Sequence, residues 1–175
     1  MSDTRTENYA EALLGLARAE GAEAVVADEL YRVAREIDNN VELSTTLSDL
    51  ALPADRRTKV VTDVLGGNVS PATLAALAAV VAAGRADELG AIAQQLAERT
   101  AGDAGQALTT IRTAVALTPD QQQRLAAALE AAAGRPIAPK FLVDPDVVGG
   151  VHAEIGDQVI DGTVRSRLAQ LRELF

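Results

Sequence analysis

The spacing of apolar residues in this chain changes at about residue 105. Before that point they recur every three to four positions, which is typical of amphipathic helices. The clearest case comprises Val26, Leu30, Val33 and Ile37. After that point the pattern alternates with period two, which is typical of a half-buried strand. The alternating set is Ile111, Thr113, Val115 and Leu117. The chain must therefore join a helical part to a part that contains both strands and helices.

The predicted fold class is α+β and mostly helical, with an N-terminal six-helix bundle over 1–105 and a small C-terminal α+β domain over 106–175. The helices of the first domain are predicted at about 8–19, 22–38, 43–50, from Pro53 to Gly66 or Gly67, from Ser70-Pro71 to Gly84, and on to about 100. Residues 101–105 are predicted to be a linker. The second domain is predicted to contain the strand near 110–117, a helix that starts at a Thr118–Gln121 capping box, strands at 137–143 and 151–155, and a last helix at about 162–174.

Composition excludes several classes of function. The net charge is −9, so the chain lacks the basic surface that nucleic acids and anionic membranes attract. The charge is concentrated in residues 1–105, which carry 9 basic and 17 acidic side chains against 7 and 8 in residues 106–175. There is no cysteine, which rules out disulfides and thiol chemistry, and aromatic residues are only 2%. We expect no nucleic-acid partner, no cofactor and no bound metal.

The segment from Val64 to Gly84 carries no charge and is about as long as a membrane-spanning helix, but turn residues at 66–71 interrupt it. The remaining apolar helix is too short to cross a bilayer, so no direct membrane insertion is expected. The N-terminus also lacks the basic and apolar segments of a signal peptide, and we expect the mature protein to start there.

The helix at 72–83 is apolar on every side. Such a helix is either the centre of its own bundle or an exposed binding surface, and the first is the more ordinary interpretation. The helix at 9–17 is nearly as apolar. Two such helices are more than a domain of this size easily buries, so an exposed groove between them, able to accept an amphipathic helix, becomes plausible.

No pattern of catalytic residues emerges from the sequence. His152 is expected to lie on the face of a strand beside Glu154, and Gly149-Gly150 is expected to be a turn or bulge, since no phosphate-binding motif follows. The carboxylates lie mostly at helix-surface spacing beside arginines. We therefore predict that the chain is not an enzyme, although a carboxylate-based hydrolase with converging Asp or Glu side chains stays open as an alternative.

The tail carries a long and specific string, Gly149-Gly150-Val151 followed by residues 155–168 (IGDQVIDGTVRSRL). It closely resembles the C-terminal signature of the ATP synthase delta subunit family, also called the oligomycin-sensitivity-conferring protein family. Tyr9-Ala10-Glu11-Ala12-Leu13 and Gly84-Arg85 followed by Leu89 resemble two further family elements. Asn8, where many relatives have Arg or Pro, and Thr163, where Ser is commoner, depart from the pattern.

The tail also has a physical interpretation that does not depend on the family. Val159 and Ile160 are expected to close a strand, Asp161 to cap the last helix, and Gly162 to allow the tight turn between them. The last helix would pack an aliphatic stripe on the sheet, made of Val164, Leu168, Leu171 and Phe175. Arg165 and Arg172 share a different face, and they either meet an acidic partner or remain solvated.

The resemblance implies a non-catalytic stator subunit of a bacterial rotary ATP synthase, peripheral at the cytoplasmic face of the plasma membrane and present once per complex. It implies that the groove takes the N-terminal segment of an alpha subunit and that the C-terminal domain holds the end of the b-subunit stalk, so that the head resists rotor torque. The expected groove residues are Tyr9, Ala12, Leu13, Leu16, Ala75, Ala76 and Ala79, with Arg165 and Arg172 as stalk contacts. An adaptor of another assembly that shares this fold is the alternative.

Overall fold

The structure is a computed structural model that describes residues 3–164. The chain divides into two compact units, Met1–Thr100 and Ala101–Phe175. Each unit has a hydrophobic core of its own. The sequence-based domain boundary after residue 105 stays a prediction.

The first unit is built from helices. They are α1 (Asp3–Ala19), α2 (Glu23–Asn39), α3 (Val41–Ser48), α4 (Ala54–Leu65), α5 (Pro71–Ala82), a 3₁₀ turn (Ala86–Glu88) and α6 (Leu89–Asp103). The amphipathic patterns point inward as predicted, because the four apolar residues of the α2 stripe are all buried. Leu89, Ile92 and Leu96 of α6 are also fully buried.

The second unit contains a four-stranded sheet and one described helix. The elements are β1 (Ala107–Thr113), α7 (Pro119–Ala133), β2 (Ile137–Val143), β3 (Val151–Ile155) and β4 (Gln158–Asp161), and the strand order is β2-β1-β3-β4. β1 and β2 are parallel because α7 crosses between them, while the pairs β1–β3 and β3–β4 are antiparallel.

α7 covers one face of this sheet, and its start is set by the predicted capping box. Thr118 accepts a hydrogen bond from the Gln121 N–H, and the Gln121 side chain accepts one from the Thr118 N–H in return. The helix ends at Gly134. Leu129 packs against Ile111 and Ile155 in the core of the unit.

Three sequence-based boundaries need correction. Residues 101–105 are not an open linker, because α6 continues to Asp103 and the Gln106 N–H donates to the Ala101 carbonyl 2.8 Å away. Pro53 is the residue before α4 rather than its first residue. Val159 and Ile160 do close a strand, as predicted, but that strand is a separate one, β4, which follows the Gly156-Asp157 turn.

The first strand is also shorter than its alternation indicates. β1 ends at Thr113, and Val115 is exposed in the loop that follows. The physical reason lies in its neighbours: β2 ends at Val143, where Asp144-Pro145 follows, and β3 pairs with β1 only as far as Thr113. An alternating segment without a partner strand does not remain in a sheet.

The predicted class, α+β and mostly helical, is confirmed. Of the residues in the predicted last helix, Val164 is helical, whereas Leu168, Leu171 and Phe175 lie outside the described residues.

Candidate interaction surface

The helices α1 and α5 together expose a surface of small and aliphatic side chains. On α5, Ala75 and Ala79 are exposed, while the opposite side of this helix, with Leu77 and Val80, is fully buried. On α1, Ala12 and Leu16 are exposed, and Leu16 keeps 62% of its surface accessible. The helix that is apolar on every side is therefore a surface helix, with alanines facing outward. We call Ala12, Leu16, Ala75 and Ala79 the α1–α5 surface.

A cavity of about 100 Å³ lies between the two helices. Leu13 and Ala76, which are 3% and 7% exposed, belong to its floor. Leu16 and Ala75 stand at its sides. The complete lining consists of Leu13, Leu16, Ala17, Glu20, Val26, Ala72, Ala75 and Ala76.

Four of the seven predicted groove residues line this cavity. Ala12 and Ala79 are exposed but do not line it, and Tyr9 is half-buried against the helical core. Among the lining residues that the sequence analysis missed, Glu20 and Ala72 could have been found, because they fall four positions from Leu16 and Ala76. Val26 carries no such signal, since its place depends on how α2 crosses the other helices.

The start of α5 is held by groups from two helices. Ser70 is the N-cap, and its side chain accepts a hydrogen bond from the Thr73 N–H. The Glu29 carboxylate on α2 accepts the Ser70 N–H at 2.8 Å. Burial raises the pKa of Glu29, but hydrogen bonds from the Thr73 hydroxyl and from Ser70, together with the charge of Arg32, outweigh burial and leave this pKa below its ordinary value.

The other end of α5 contacts Tyr9 on α1. Arg85 follows the helix, and its guanidinium carbon lies 5.2 Å from the centre of the Tyr9 ring. Its NH1 donates to Glu88 Oε1 at 2.6 Å. The hydrogen bonds to Glu88 and to Tyr9 raise the pKa of Arg85 above its ordinary value. Arginine is a cation at any physiological pH, so Arg85 places a positive charge at the end of the α1–α5 surface.

The second unit has a shallow polar concavity of about 210 Å³. Its charged lining side chains are Arg112, Asp144, Asp146, His152 and Asp161. His152 lies on the sheet face beside Glu154, as predicted, with its Nε2 3.1 Å from Glu154 Oε1. Gly150 lies in the adjoining turn, where a Cβ would come within 2.5 Å of the Gly162 carbonyl oxygen. The Gly149-Gly150 pair thus allows a close backbone approach, as the turn interpretation predicts.

The aspartates of this concavity make the hydrogen bonds of tight turns. Asp144 Oδ1 accepts the Asp146 N–H, and Asp161 Oδ1 accepts the Thr163 N–H at 2.9 Å, where the last helix was expected to be capped. The bond from Thr163 lowers the pKa of Asp161, which keeps this carboxyl ionised and unsuited to donate a proton. These hydrogen bonds assign both aspartates a structural role in their turns.

Two further observations concern the described part of the chain. Over residues 3–164, no cluster of His, Asp or Glu has the arrangement needed to hold a metal ion. No helix in the same range is long and apolar enough to cross a bilayer. The predicted stalk contacts, Arg165 and Arg172, lie outside the described residues.

Comparison with known proteins decides the family. The sequence profile described as "ATP synthase delta (OSCP) subunit" matches residues 6–175. This chain belongs to the ATP synthase delta (OSCP) family. The resemblance that the tail and the N-terminal motifs indicate is thereby confirmed.

Several relatives named as delta subunits come from actinobacteria. The ATP synthase subunit delta of Nocardia farcinica is 37% identical over 172 residues, which cover 98% of this chain and 64% of that protein. The subunit delta of a Parafrankia species is 39% identical over 159 residues, covering 90% of this chain and 57% of that protein. A protein of a Mycobacterium species named "ATP synthase subunit b-delta" is 35% identical over 158 residues, 90% of this chain and 36% of its own length. The chain thus spans less than two thirds of these relatives.

One solved structure has the same fold. A chain in the cryo-EM structure of the Toxoplasma gondii mitochondrial ATP synthase hexamer aligns with a TM-score of 0.57 over 97% of this chain and 96% of that chain. The two sequences are 17% identical, so the likeness establishes a shared fold alone.

Proposed function

We propose that this protein is a non-catalytic stator subunit of a rotary ATP synthase. It connects the catalytic head to the peripheral stalk and resists the torque of the rotor during proton-driven ATP synthesis. The observation that carries this proposal is the family match over residues 6–175. In a bacterium the subunit would be present once per complex, peripheral at the cytoplasmic face of the plasma membrane.

The proposed partner of the first unit is the N-terminal segment of an alpha subunit, bound as an amphipathic helix. Exposed alanines on α5 allow the backbone of an incoming helix to approach closely, and the cavity beside Leu16 can accept one larger apolar side chain. Nanomolar affinity corresponds to about −12 kcal/mol. Exposed ion pairs contribute about 0–1 kcal/mol each, so apolar contacts should supply most of the affinity.

The proposed partner of the second unit is the end of the b-subunit stalk, with Arg165 and Arg172 as candidate contacts. The Mycobacterium relative supports this pairing, because its name joins b and delta in one protein. The proposal for this unit therefore rests on family membership more than on geometry.

The groove assignment is tested by titrating a synthetic alpha-subunit N-terminal peptide into the purified chain. We expect one peptide to bind per chain. Ala79→Asp or Leu16→Asp should weaken binding by about tenfold or more, because each would bury a charge against the apolar face of the peptide.

The matched control is Ala128→Asp, which introduces the same charge on the exposed face of α7 in the other unit. Binding by Ala128→Asp should equal that of the unmodified chain. If the unmodified chain does not bind the peptide, or if Ala79→Asp and Leu16→Asp bind as well as the control, the groove assignment is wrong.

A further inference from the structure

The backbone that follows α5 holds Arg85 in a defined place. Gly84 has a φ of +71°, and the Arg85 N–H donates to the Val80 carbonyl at 3.1 Å, which closes the helix end. A Cβ on Gly84 would lie 2.9 Å from the Leu50 side chain. Arg85 therefore leaves α5 in a direction that the helix end itself determines.

Arg85 joins this helix end to α1 through the Tyr9 ring. The Tyr9 ring is half-buried, and the Arg85 and Glu88 side chains are only 21% and 26% exposed. The 3₁₀ turn brings Glu88 back to Arg85, since the Glu88 N–H donates to the Arg85 carbonyl at 3.0 Å. Glu88 Oε2 is buried and has no hydrogen-bond partner in the described part of the chain, so Arg85 is the group that compensates this carboxylate.

Arg85 thus combines two contacts that a flexible cation could not make together. Its planar guanidinium lies over the aromatic ring and at the same time bonds the Glu88 carboxylate. Partly desolvated contacts of these two kinds are stronger than their exposed counterparts. Tyr9 lies three and seven positions before the exposed residues Ala12 and Leu16, on the same side of α1, so whatever holds its ring also holds the exposed face of α1.

We infer that Arg85 is a positioning residue for the α1–α5 surface: with Glu88 it holds Tyr9, and so sets the distance between the exposed faces of α1 and α5. Spacing matters here because the surface consists largely of alanines. Small side chains pack closely with an incoming helix only over a narrow range of separations, and a gap below 1 Å already loses much of the attraction. The consequence for binding rests on the proposed function, whereas the spacing itself does not.

The spacing can be measured without any partner. The chain has no cysteine, so Ala12→Cys and Ala79→Cys introduce two unique attachment points for spin labels, one on α1 and one on α5. Arg85→Ala in this background should broaden or lengthen the distribution of label-to-label distances. Arg124→Ala, which removes an exposed α7 arginine that faces Asp120, is the control and should leave the distribution unchanged.

The effect on binding is measured with the alpha-subunit peptide and chains that carry no labels. Arg85→Ala should lower the affinity for the peptide about fivefold at a temperature where the chain is fully folded. Arg85→Lys should recover part of that loss, because it retains the charge over the ring. Loss of thermal stability alone would not change peptide affinity under these conditions. Arg124→Ala should bind as the unmodified chain does.

The possible results separate this inference from the proposed function. If the distance distribution of Arg85→Ala matches that of Arg124→Ala, the positioning role is wrong. If the unmodified chain binds no peptide while Arg85→Ala still changes the distances, the positioning role stands and the proposed groove function fails. Should Arg85→Ala not fold, Glu88→Gln, which removes the charge that Arg85 NH1 contacts at 2.6 Å, replaces it, and an unchanged distance distribution in that variant would overturn the inference.

Discussion

Glu29 connects two helices through one carboxylate, and its effect is largest at neutral pH. Its oxygen accepts the Ser70 N–H at the start of α5, where the partial positive charge of the helix end favours an anion. The folded chain holds this carboxyl at a lowered pKa, so the unfolded chain binds the proton first as the pH falls. The stabilisation is therefore complete at neutral pH, begins to be lost near the ordinary value of 4.5, and disappears as the pH falls through the lower folded value.

Glu29→Gln tests this contact. At pH 7 we expect the variant to lower the free energy of unfolding by about 1 kcal/mol, because a neutral amide replaces a charged acceptor at a helix N-terminus. Urea denaturation should show this difference in the free energy of unfolding shrinking below pH 4.5, where the unfolded form of the unmodified chain becomes protonated before the folded form does. Glu36→Gln on the exposed face of α2 is the control, and its free energy of unfolding should be close to that of the unmodified chain at each pH. A difference for Glu29→Gln that persists unchanged to low pH would contradict the assignment.

The sequence predicts only half of this arrangement. Ser70-Pro71 marks the start of α5 because a capping side chain and a proline at the first helical position are local signals. Glu29 lies 41 positions away, and its role depends on how α2 packs against α5, which no local pattern encodes. Arg85 is similar: the Gly84-Arg85 motif is visible in the sequence, but its contact with Tyr9 follows from tertiary packing.

At the scale of elements, the turn between β2 and β3 depends on Gly150. Its φ is +90°, and a Cβ would lie 2.5 Å from the Gly162 carbonyl oxygen and 2.8 Å from the Thr163 Cα. Both obstacles are backbone atoms, which cannot rotate away as a side chain can. The Gly162 N–H also donates to the Val151 carbonyl at 2.9 Å, so the start of β3 and the residues after β4 are held together here.

Gly150→Ala should therefore destabilise the second unit by about 2 kcal/mol or more, through backbone strain and the clash with Gly162. Thermal or urea denaturation of the full chain, followed by circular dichroism, measures this change. Gly15→Ala provides the opposite case, because Gly15 is an exposed residue of α1 with open space around it. Alanine there should stabilise the first unit by about 0.5–1 kcal/mol. Equal stability of the Gly150→Ala variant and the unmodified chain would show that the turn tolerates a side chain.

The end of β1 shows why a strand end can be hard to predict from sequence. The capping box of α7 is a local device, whereas the end of β1 is decided by where β2 and β3 stop pairing with it. The short strand β4 has four exposed residues, so it offers no alternation of buried and exposed positions. The α5 part of the α1–α5 surface could be predicted only in part. The sequence shows that this helix is apolar, but only the fold determines that its exposed residues are alanines.

At the scale of the whole molecule, the two compact units differ in the surfaces they present. The first exposes alanine and leucine between two helices, and the second exposes a polar sheet face with Arg112, His152 and Glu154. The excess of acidic side chains also falls in the first 105 residues. Two units with different surfaces suit the proposed connector, which would bind a different partner with each unit.

The most direct test of the connector is whether both partner segments bind one chain together. The full chain would be mixed with the alpha-subunit N-terminal peptide and a soluble C-terminal part of the b subunit. Native mass spectrometry would then measure the masses of the intact complexes. The account predicts a complex that contains one copy of each component. In the Ala79→Asp variant, the alpha peptide should no longer bind, while the b segment should remain bound. A chain that binds neither segment, or that releases one when the other binds, would contradict it.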